Sequence, residues 1–554
     1  MLTVRFPLQG LSTVVPEGTS LVEAARFAGI RIESPCGGAG RCGKCRMKVN
    51  ERRLDNLLVT ASGPLSEEEK GDGFVLACHS FAKGDLEVEF IEEETLSTNI
   101  LSSGKRADTN LDPPVRKIFV AGKNSTLVSF DGLPGIEEPG DTTGRCYGAA
   151  IDIGTTTLVA ALVDLNTGEE LCAASSLNPQ VEFGHDVLSR IRCAVDPKGL
   201  SKLHDAVVQE LERMLQGLAR RAGIEPADIY ELVLSGNTCM LHLAARVNPG
   251  SLGRYPYTPG LRGGERIPAR DVGFNLPDTA GIYFPPIISG FVGADITAGI
   301  LATGLHREPG IVLFIDIGTN GEMVLSINGR LTATSTAAGP AFEGMNIACG
   351  MRAADGAIDK FSIGNDGWVS VGAIGGAKPA GICGSGLVDV VGELVAHGVL
   401  DRNGRFSKNG HVPDLIRERI SLENGKPGFR ISDGVFLTQQ DIRQVQLAKG
   451  ALRSGIDILL AGSGLKYSDV ERVLIAGAFG FHLRTENLVR IGIIPDELEG
   501  KIDLVGNTSK TGAIALLLDR SMRREALRIA DRANVIELAD DPGFERTFIG
   551  NLAF

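Results

Sequence analysis

The sequence predicts an α/β protein in two parts: a small β-rich unit at the N-terminus, then a larger α/β region built as a duplicated domain with a cleft between its halves. Three observations carry this. Apolar residues alternate along short runs up to residue 94, the period of half-buried strands. An Asp-x-Gly-Thr signature occurs twice, at Asp152 and Asp316, each time between apolar strands. Four of the ten cysteines fall in the first 80 residues.

Length and charge narrow the classes. At roughly 100–200 residues per domain, 554 residues predict several domains. No run of 18 apolar residues occurs, so no transmembrane helix is expected. The start, MLTVRFPLQG, lacks a basic segment followed by an apolar one, so no secretory signal is expected and the cytoplasm is the expected compartment. With 56 basic and 68 acidic side chains the net charge is −12, which argues against nucleic acid or an anionic membrane as partner. Glycine, at 71 residues, is about twice its usual ~7 % share and follows no Gly-X-Y period, which predicts tight turns and phosphate-facing loops.

In the first unit, residues 1–94, Leu2, Val4 and Phe6 alternate as a strand, and Ser12 to Val15 forms its partner. Ser20 then caps a short helix beginning Leu21-Val22-Glu23. Arg46 to Asn50 and Leu86 to Phe90 alternate again, and Glu92-Glu93-Glu94 closes the unit. Residues 95–145 are rich in Ser, Asn, Pro and Gly and read as a linker with one or two docked strands, Lys117 to Val120 and Thr126 to Phe130. Residues 146–305 and 306–554 are the two expected lobes. Each opens with a strand, Asp-x-Gly-Thr, a second strand, a turn (Asn166-Thr-Gly168 or Asn328-Gly329) and a third strand.

The cysteine spacing is Cys36-x5-Cys42-x2-Cys45-x32-Cys78. Three thiolates on one tight loop and a fourth from a distant strand suit a [2Fe–2S] cluster. Glycines at 37, 38, 40 and 43 let backbone N–H groups turn toward the sulfurs. A zinc site would more naturally show two separated C-x2-C pairs, and a disulfide set would suit an exported chain. His79 follows Cys78, but four cysteines already fill the ligand set. Arg41, Lys44, Arg46 and Lys48 either place positive charge beside the cluster or form a solvated face. The other six cysteines are scattered singly and read as small buried apolar residues.

Asp-x-Gly-Thr after a strand has a nucleotide-binding logic. Gly154 and Gly318 permit a hairpin whose N–H groups face a phosphate, while Thr155, Thr156, Thr319 and Asn320 add donors. Asp152 and Asp316 then stand where Mg²⁺ and its waters would lie. Two such turns across a cleft would clamp one triphosphate, which calls for ATP. Gly381 to Gly386, with Gly384 and Ser385, opens a helix suited to an anion. Val473 to Gly480 is an apolar strand ending in a Gly-rich turn, with Gly477 and Gly480 placed for adenosine. Gly290 to Gly299 and Gly506 to Ala513 read as two small-residue helices crossing at a hinge.

These motifs resemble the actin, Hsp70 and sugar-kinase ATPases, which implies a duplicated ribonuclease-H-like fold. The Cys loop ahead of them resembles a β-grasp ferredoxin domain. The combination is similar to the reductive activators of corrinoid proteins over nearly the full length, through the Cys loop, Asp152-Ile-Gly-Thr-Thr, Ala338-Gly-Pro-Ala-Phe-Glu343-Gly, Gly381 to Gly386 and Ile475 to Gly480. Some relatives carry further cysteines near the C-terminus; this chain has none after Cys383. The resemblance implies ATP-dependent transfer of one electron from the cluster to the Co(II) corrinoid of a methyltransferase system, with an unknown upstream donor and a homodimeric assembly. Asp152 and Asp316 would be Mg²⁺-shell residues that position the attacking water, with Asp295 and Glu343 as further candidates. A structural hydrogen bond is the other reading of each. An activator of a different metalloenzyme and a nucleotide-binding redox sensor remain the alternatives.

Overall fold

The computed structural model describes the chain apart from residues 31, 33–39, 41–44, 50–54, 63–64, 91–108, 132, 365, 408–411, 424 and 478–482. Its contacts group into two compact units, Met1–Leu96 with Glu343–Gln444, and Ser97–Phe342 with Val445–Phe554.

In the first unit the N-terminal part is a five-stranded sheet in the order Leu11–Val15, Leu2–Phe6, Leu86–Glu89, Arg46–Val49, Phe74–Leu76. Leu2–Phe6 pairs antiparallel with Leu11–Val15 and parallel with Leu86–Glu89. The helix Leu21–Phe27 begins where Ser20 and Glu23 form a reciprocal capping box, as the sequence predicts. Its Leu21, Ala24 and Ala25 pack with Val4, Phe6, Met47, Leu76 and Val88 in one core. This is the expected β-grasp arrangement. The later part of the unit carries the strands Ala357–Ile363, Val369–Ala373 and Gly381–Ile382, the helix Gly384–Ala396 and a three-stranded meander, Ile420–Thr438.

The second unit contains two six-stranded sheets of matched design. One runs Glu170–Leu177, Thr157–Asp164, Tyr147–Ile153, Ile229–Gly236, Gly281–Tyr283, Arg266–Pro268. The other runs Asn534–Val535, Arg330–Thr336, Gly321–Ile327, Ile311–Ile317, Arg472–Gly477, Ile502–Gly506. In each, the strand leading into Asp-x-Gly-Thr pairs antiparallel with the next strand and parallel with a strand from far downstream. One core joins them, including Ala150, Val233, Phe314, Val324, Leu474 and Leu516.

Between the sheets the helices Ala294–Thr303 and Thr508–Leu518 cross where the small-residue segments place them. They meet backbone to backbone, because a Cβ at Gly512 would lie 2.1 Å from the Ala298 carbonyl oxygen. Glycine is the residue that this approach admits.

The described residues of the expected linker are a folded part of this unit. Val115–Val120, Ser125–Phe130 and Leu133–Pro139 form a three-stranded antiparallel sheet. Val115, Val128 and Phe130 join the common core. The Arg266 guanidinium lies 4.5 Å over the Phe130 ring, and the buried Lys117 ammonium lies 4.3 Å over Tyr230 and 2.9 Å from Glu138. Among the described residues no helix is long and apolar enough to cross a membrane.

Candidate nucleotide and cluster sites

The first Asp-x-Gly-Thr turn joins Tyr147–Ile153 to Thr157–Asp164, and polar side chains from three other segments hold it. Asn178 Nδ2 donates to the Gly154 carbonyl (2.8 Å) and Arg190 Nη2 to the Thr155 carbonyl (2.6 Å). The Asn178 N–H donates to the Thr156 carbonyl (2.8 Å), and Asn237 Nδ2 to Thr155 Oγ1 (3.0 Å). Asp152 accepts from Asn507 Nδ2 at 2.9 Å and from Ser509 Oγ at 2.8 Å, both at the start of the helix Thr508–Leu518. A helix N-terminus favours a carboxylate there.

The second turn, between Ile311–Ile317 and Gly321–Ile327, is one residue tighter. Ile317 pairs with Gly321, whereas Ile153 pairs with Leu158. Asp316 consequently stands opposite Glu322, where Asp152 stands opposite Val159. The two turns face each other, with Thr156 Oγ1 and Thr319 Oγ1 3.4 Å apart. Gly477 ends the strand beside Asp316 with φ +130°, and a Cβ there would lie 2.5 Å from the Ile317 carbonyl oxygen. Gly480 lies outside the described residues.

Around these turns acidic side chains gather, Glu322 buried and Asp152, Asp295 and Asp316 half-buried. Burial raises the Asp152 carboxyl above its ordinary range, against its two hydrogen bonds. Asp295, in the first turn of the helix Ala294–Thr303, is raised by burial and then by the charge of Asp152. Glu322 is raised well above the carboxylate range, by burial and then by Asp295 and Asp316. Among the described residues no group of three or more His, Cys, Asp or Glu side chains is arranged to hold a metal ion by itself. Such acids suit a hydrated ion that brings phosphate ligands with it, as Mg²⁺ does. Gly384 and Ser385 open the helix Gly384–Ala396 in the other unit, where Glu343 ends the turn Pro340–Glu343.

In the N-terminal domain the Cys45 and Cys78 sulfurs stand 3.2 Å apart, one just before the strand Arg46–Val49 and one in the turn after Phe74–Leu76. Two sulfurs this close, from separate segments, fit ligation of a common centre. Gly40 packs against His79, where a Cβ would lie 2.5 Å from the imidazole ring. Cys36 and Cys42 lie outside the described residues.

Comparison with known proteins gives this arrangement a family. The chain is 31 % identical to the corrinoid activation enzyme RamQ of Eubacterium limosum, over 100 % of this chain and 99 % of the relative. The chain belongs to the family of reductive activators of corrinoid proteins. Family models match it in three consecutive pieces: the 2Fe-2S iron-sulfur cluster binding domain over residues 8–83, the RACo middle region over 147–308, and the C-terminal, ASKHA domain of RACo over 310–554. A solved reductive activator for corrinoid, iron-sulfur protein is 32 % identical with a TM-score of 0.75, covering 100 % of this chain and 98 % of that one. The [Co(II) methylated amine-specific corrinoid protein] reductase of Methanosarcina barkeri is 27 % identical over 74 % of this chain and 77 % of its own length.

Within this activator fold the sequence reading omitted Glu322, Asn178 and Arg190; Leu232 to Asn237 reads as a strand ending near the cleft, and Asn507 and Ser509 lie in the hinge segment Gly506 to Ala513, but their contacts with the first turn went unread. Glu322 was within reach, because a hairpin turning at Gly318 sets residue 322 against residue 316. Asn178 and Arg190 come from distant segments and carry no local signal.

Proposed function

We propose that the chain is an ATP-dependent reductive activator that returns the Co(II) corrinoid of a methyltransferase system to Co(I), with the [2Fe–2S] cluster as the electron source. The single observation that carries the ATP part is the pair of opposed Asp-x-Gly-Thr turns, met at Thr156 and Thr319. In this reading Cys36, Cys42, Cys45 and Cys78 hold the cluster. Gly154, Thr155, Thr156, Gly318, Thr319 and Asn320 cradle phosphates, with Gly384 and Ser385 as a further anion site and Gly477 and Gly480 beside the adenosine. Asp152 and Asp316 face the Mg²⁺ hydration shell and orient water, with Asp295 and Glu343 in supporting roles. Residues 1–94 form the redox domain, 146–305 and 306–554 the two ATPase lobes, and 95–145 the connection between redox and ATPase parts.

The chemistry explains why ATP is needed. Plant-type clusters supply one electron at roughly −400 mV, which is not low enough for corrinoid Co(II). Each ~1.4 kcal/mol of differential binding shifts a one-electron potential by ~59 mV. A gap of one or two hundred millivolts therefore needs only a few kcal/mol, within reach of a cleft that closes on its ligand. Mg²⁺ would neutralise the acids whose carboxyls burial and mutual repulsion raise. Cytoplasmic placement and a homodimer belong to the same reading, and sedimentation tests the second.

The test is anaerobic. Reduced protein is mixed with a Co(II) corrinoid methyltransferase component, with and without Mg-ATP, and Co(I) absorbance is followed. Co(I) that appears only with ATP and is lost in Cys42→Ala or Asp316→Ala establishes the reading. ATP turnover and an intact cluster without Co(I), across several corrinoid partners, would redirect it to a different metalloenzyme or to a redox sensor.

A further inference from the structure

Arg190 is among the largest side chains wholly removed from solvent, with 0 % exposure. It projects from the helix Val187–Ala194, whose start is fixed by a capping box between Asp186 and Ser189. A guanidinium in such a place must find hydrogen bonds for its fork, since a buried charge without them costs several kcal/mol. The fork reaches at least four acceptors. Nε donates to the Gly184 carbonyl at 2.9 Å, Nη1 to Gln180 Oε1 at 3.3 Å and to Met240 Sδ at 2.9 Å, and Nη2 to the Thr155 carbonyl at 2.6 Å. The last is the shortest and reaches into the first phosphate turn.

The geometry of a trans peptide gives this contact a consequence. The carbonyl of one residue and the N–H of the next point in opposite directions. Asn178 holds the Gly154 carbonyl and Arg190 holds the Thr155 carbonyl, both from the same scaffold, in which Asn178 Nδ2 also donates to Gln180 Oε1 at 3.2 Å. The N–H groups of Thr155 and Thr156 are therefore turned away from the scaffold. Neither makes a hydrogen bond to the described residues. The Thr156 side chain meets Thr319 of the opposite turn. Two aimed donors with a fixed positive charge behind them make a nest for an anion.

We propose that Arg190 is the positioning residue of the first phosphate turn: it locks the Thr155 peptide so that the turn's N–H groups meet the nucleotide phosphates, and its charge favours those phosphates through the peptide it binds. The second turn sets Glu322 opposite its aspartate. This rests on the nucleotide reading above.

The experiment uses the full chain with its cluster loaded. Arg190→Lys keeps the charge and loses the fork; Arg190→Met loses both. Binding of Mg-ATP, Mg-ADP and adenosine is measured by calorimetry for wild type and both variants, with circular dichroism and the visible cluster spectrum as folding controls. The proposal expects Arg190→Met to lose about 10- to 100-fold in affinity for the two phosphate-bearing ligands, the range of a charged hydrogen bond, and Arg190→Lys to lose less. Adenosine, which presents no phosphate, should change less than about threefold. Equal losses for all three ligands in folded protein would assign Arg190 a purely structural role and overturn the proposal. So would unchanged ATP affinity in Arg190→Lys and Arg190→Met. If Arg190→Met does not fold, the ligand ratio in Arg190→Lys decides by the same criterion. Wild-type protein that binds neither phosphate-bearing ligand would instead overturn the nucleotide reading, and the proposal with it.

Discussion

The two Asp-x-Gly-Thr turns share a signature and differ in what surrounds it. The first is held from outside: Asn178, Arg190 and Asn237 bind its turn, and Asn507 and Ser509 bind its aspartate. The second is one residue tighter and sets a buried acid, Glu322, against its aspartate. Between the two copies of the element the described contacts thus differ: donors from distant segments hold the first, and the second sets two acids side by side.

That contrast is breakable. The largest expected effect is on turnover. Asp316→Asn should lower ATP hydrolysis by about 100-fold, in the range of losing a well-placed acid–base or electrostatic group, while Asp152→Asn, whose carboxylate already serves two donors, should lose several-fold less. Equal kcat losses in a steady-state phosphate-release assay would erase the distinction. Next comes binding. Asn237→Ala removes one donor to Thr155 and should raise KM for Mg-ATP about fivefold with kcat unchanged, the size of one neutral hydrogen bond. A fall in kcat instead would make the support of the first turn part of the chemistry.

Glu322→Gln probes the charged side through stability. Its folded carboxyl is raised, so the folded state favours the proton and nucleotide-free protein loses stability as pH rises above the ordinary value of 4.5. At pH 7.5 the amide should raise the unfolding temperature by about 1–3 °C, and the gain should vanish on acidification below that value. A lower unfolding temperature at pH 7.5 would mean that the acid is paired rather than crowded. The smallest effect belongs to the side of the first turn. His242 sits on the helix Thr238–Ala244 that Asn237 caps, and its Nε2 accepts from the Gly260 and Leu261 N–H groups. Burial lowers its pKa, so its contribution is intact above the ordinary 6.5 and is lost as pH falls below it, where the unfolded chain takes up a proton that the folded one resists. Thermal melts across pH 5.5–7.5 should show this decline, flattened in His242→Asn; a wild-type profile no steeper than the variant's would remove His242 from the account.

Much of this fold was legible because repeated local signals coincide with the architecture. The doubled signature, the capping box at Ser20 and the glycines of the crossing helices each act at short range. The three-stranded sheet from Val115 to Pro139 was harder to read. Its third strand, Leu133–Pro139, contains Pro134 and Gly135 and shifts register against its partner between Leu133 and Ile136, so the alternation that marks a strand is broken. At the nucleotide site the acids on the motif were readable and their supports were not. Asn178 lies 24 residues from the carbonyl it holds and Arg190 lies 35 from its own, and no spacing rule links such pairs. Of the four cysteines whose spacing suggests cluster ligands, Cys45 and Cys78 come together in the structure.

The contact between Gly512 and Ala298 has a mechanical side. Most helix pairs interlock through ridges of side chains, so sliding one past the other means climbing out of a groove. Here main chain bears on main chain. At that point no side chain stands between the two axes, and the displacement that a rotation about it would produce grows in proportion to the distance from the pivot. As a fulcrum, the joint would turn slight adjustments near the axis into larger strokes at the outer edges of the sheets.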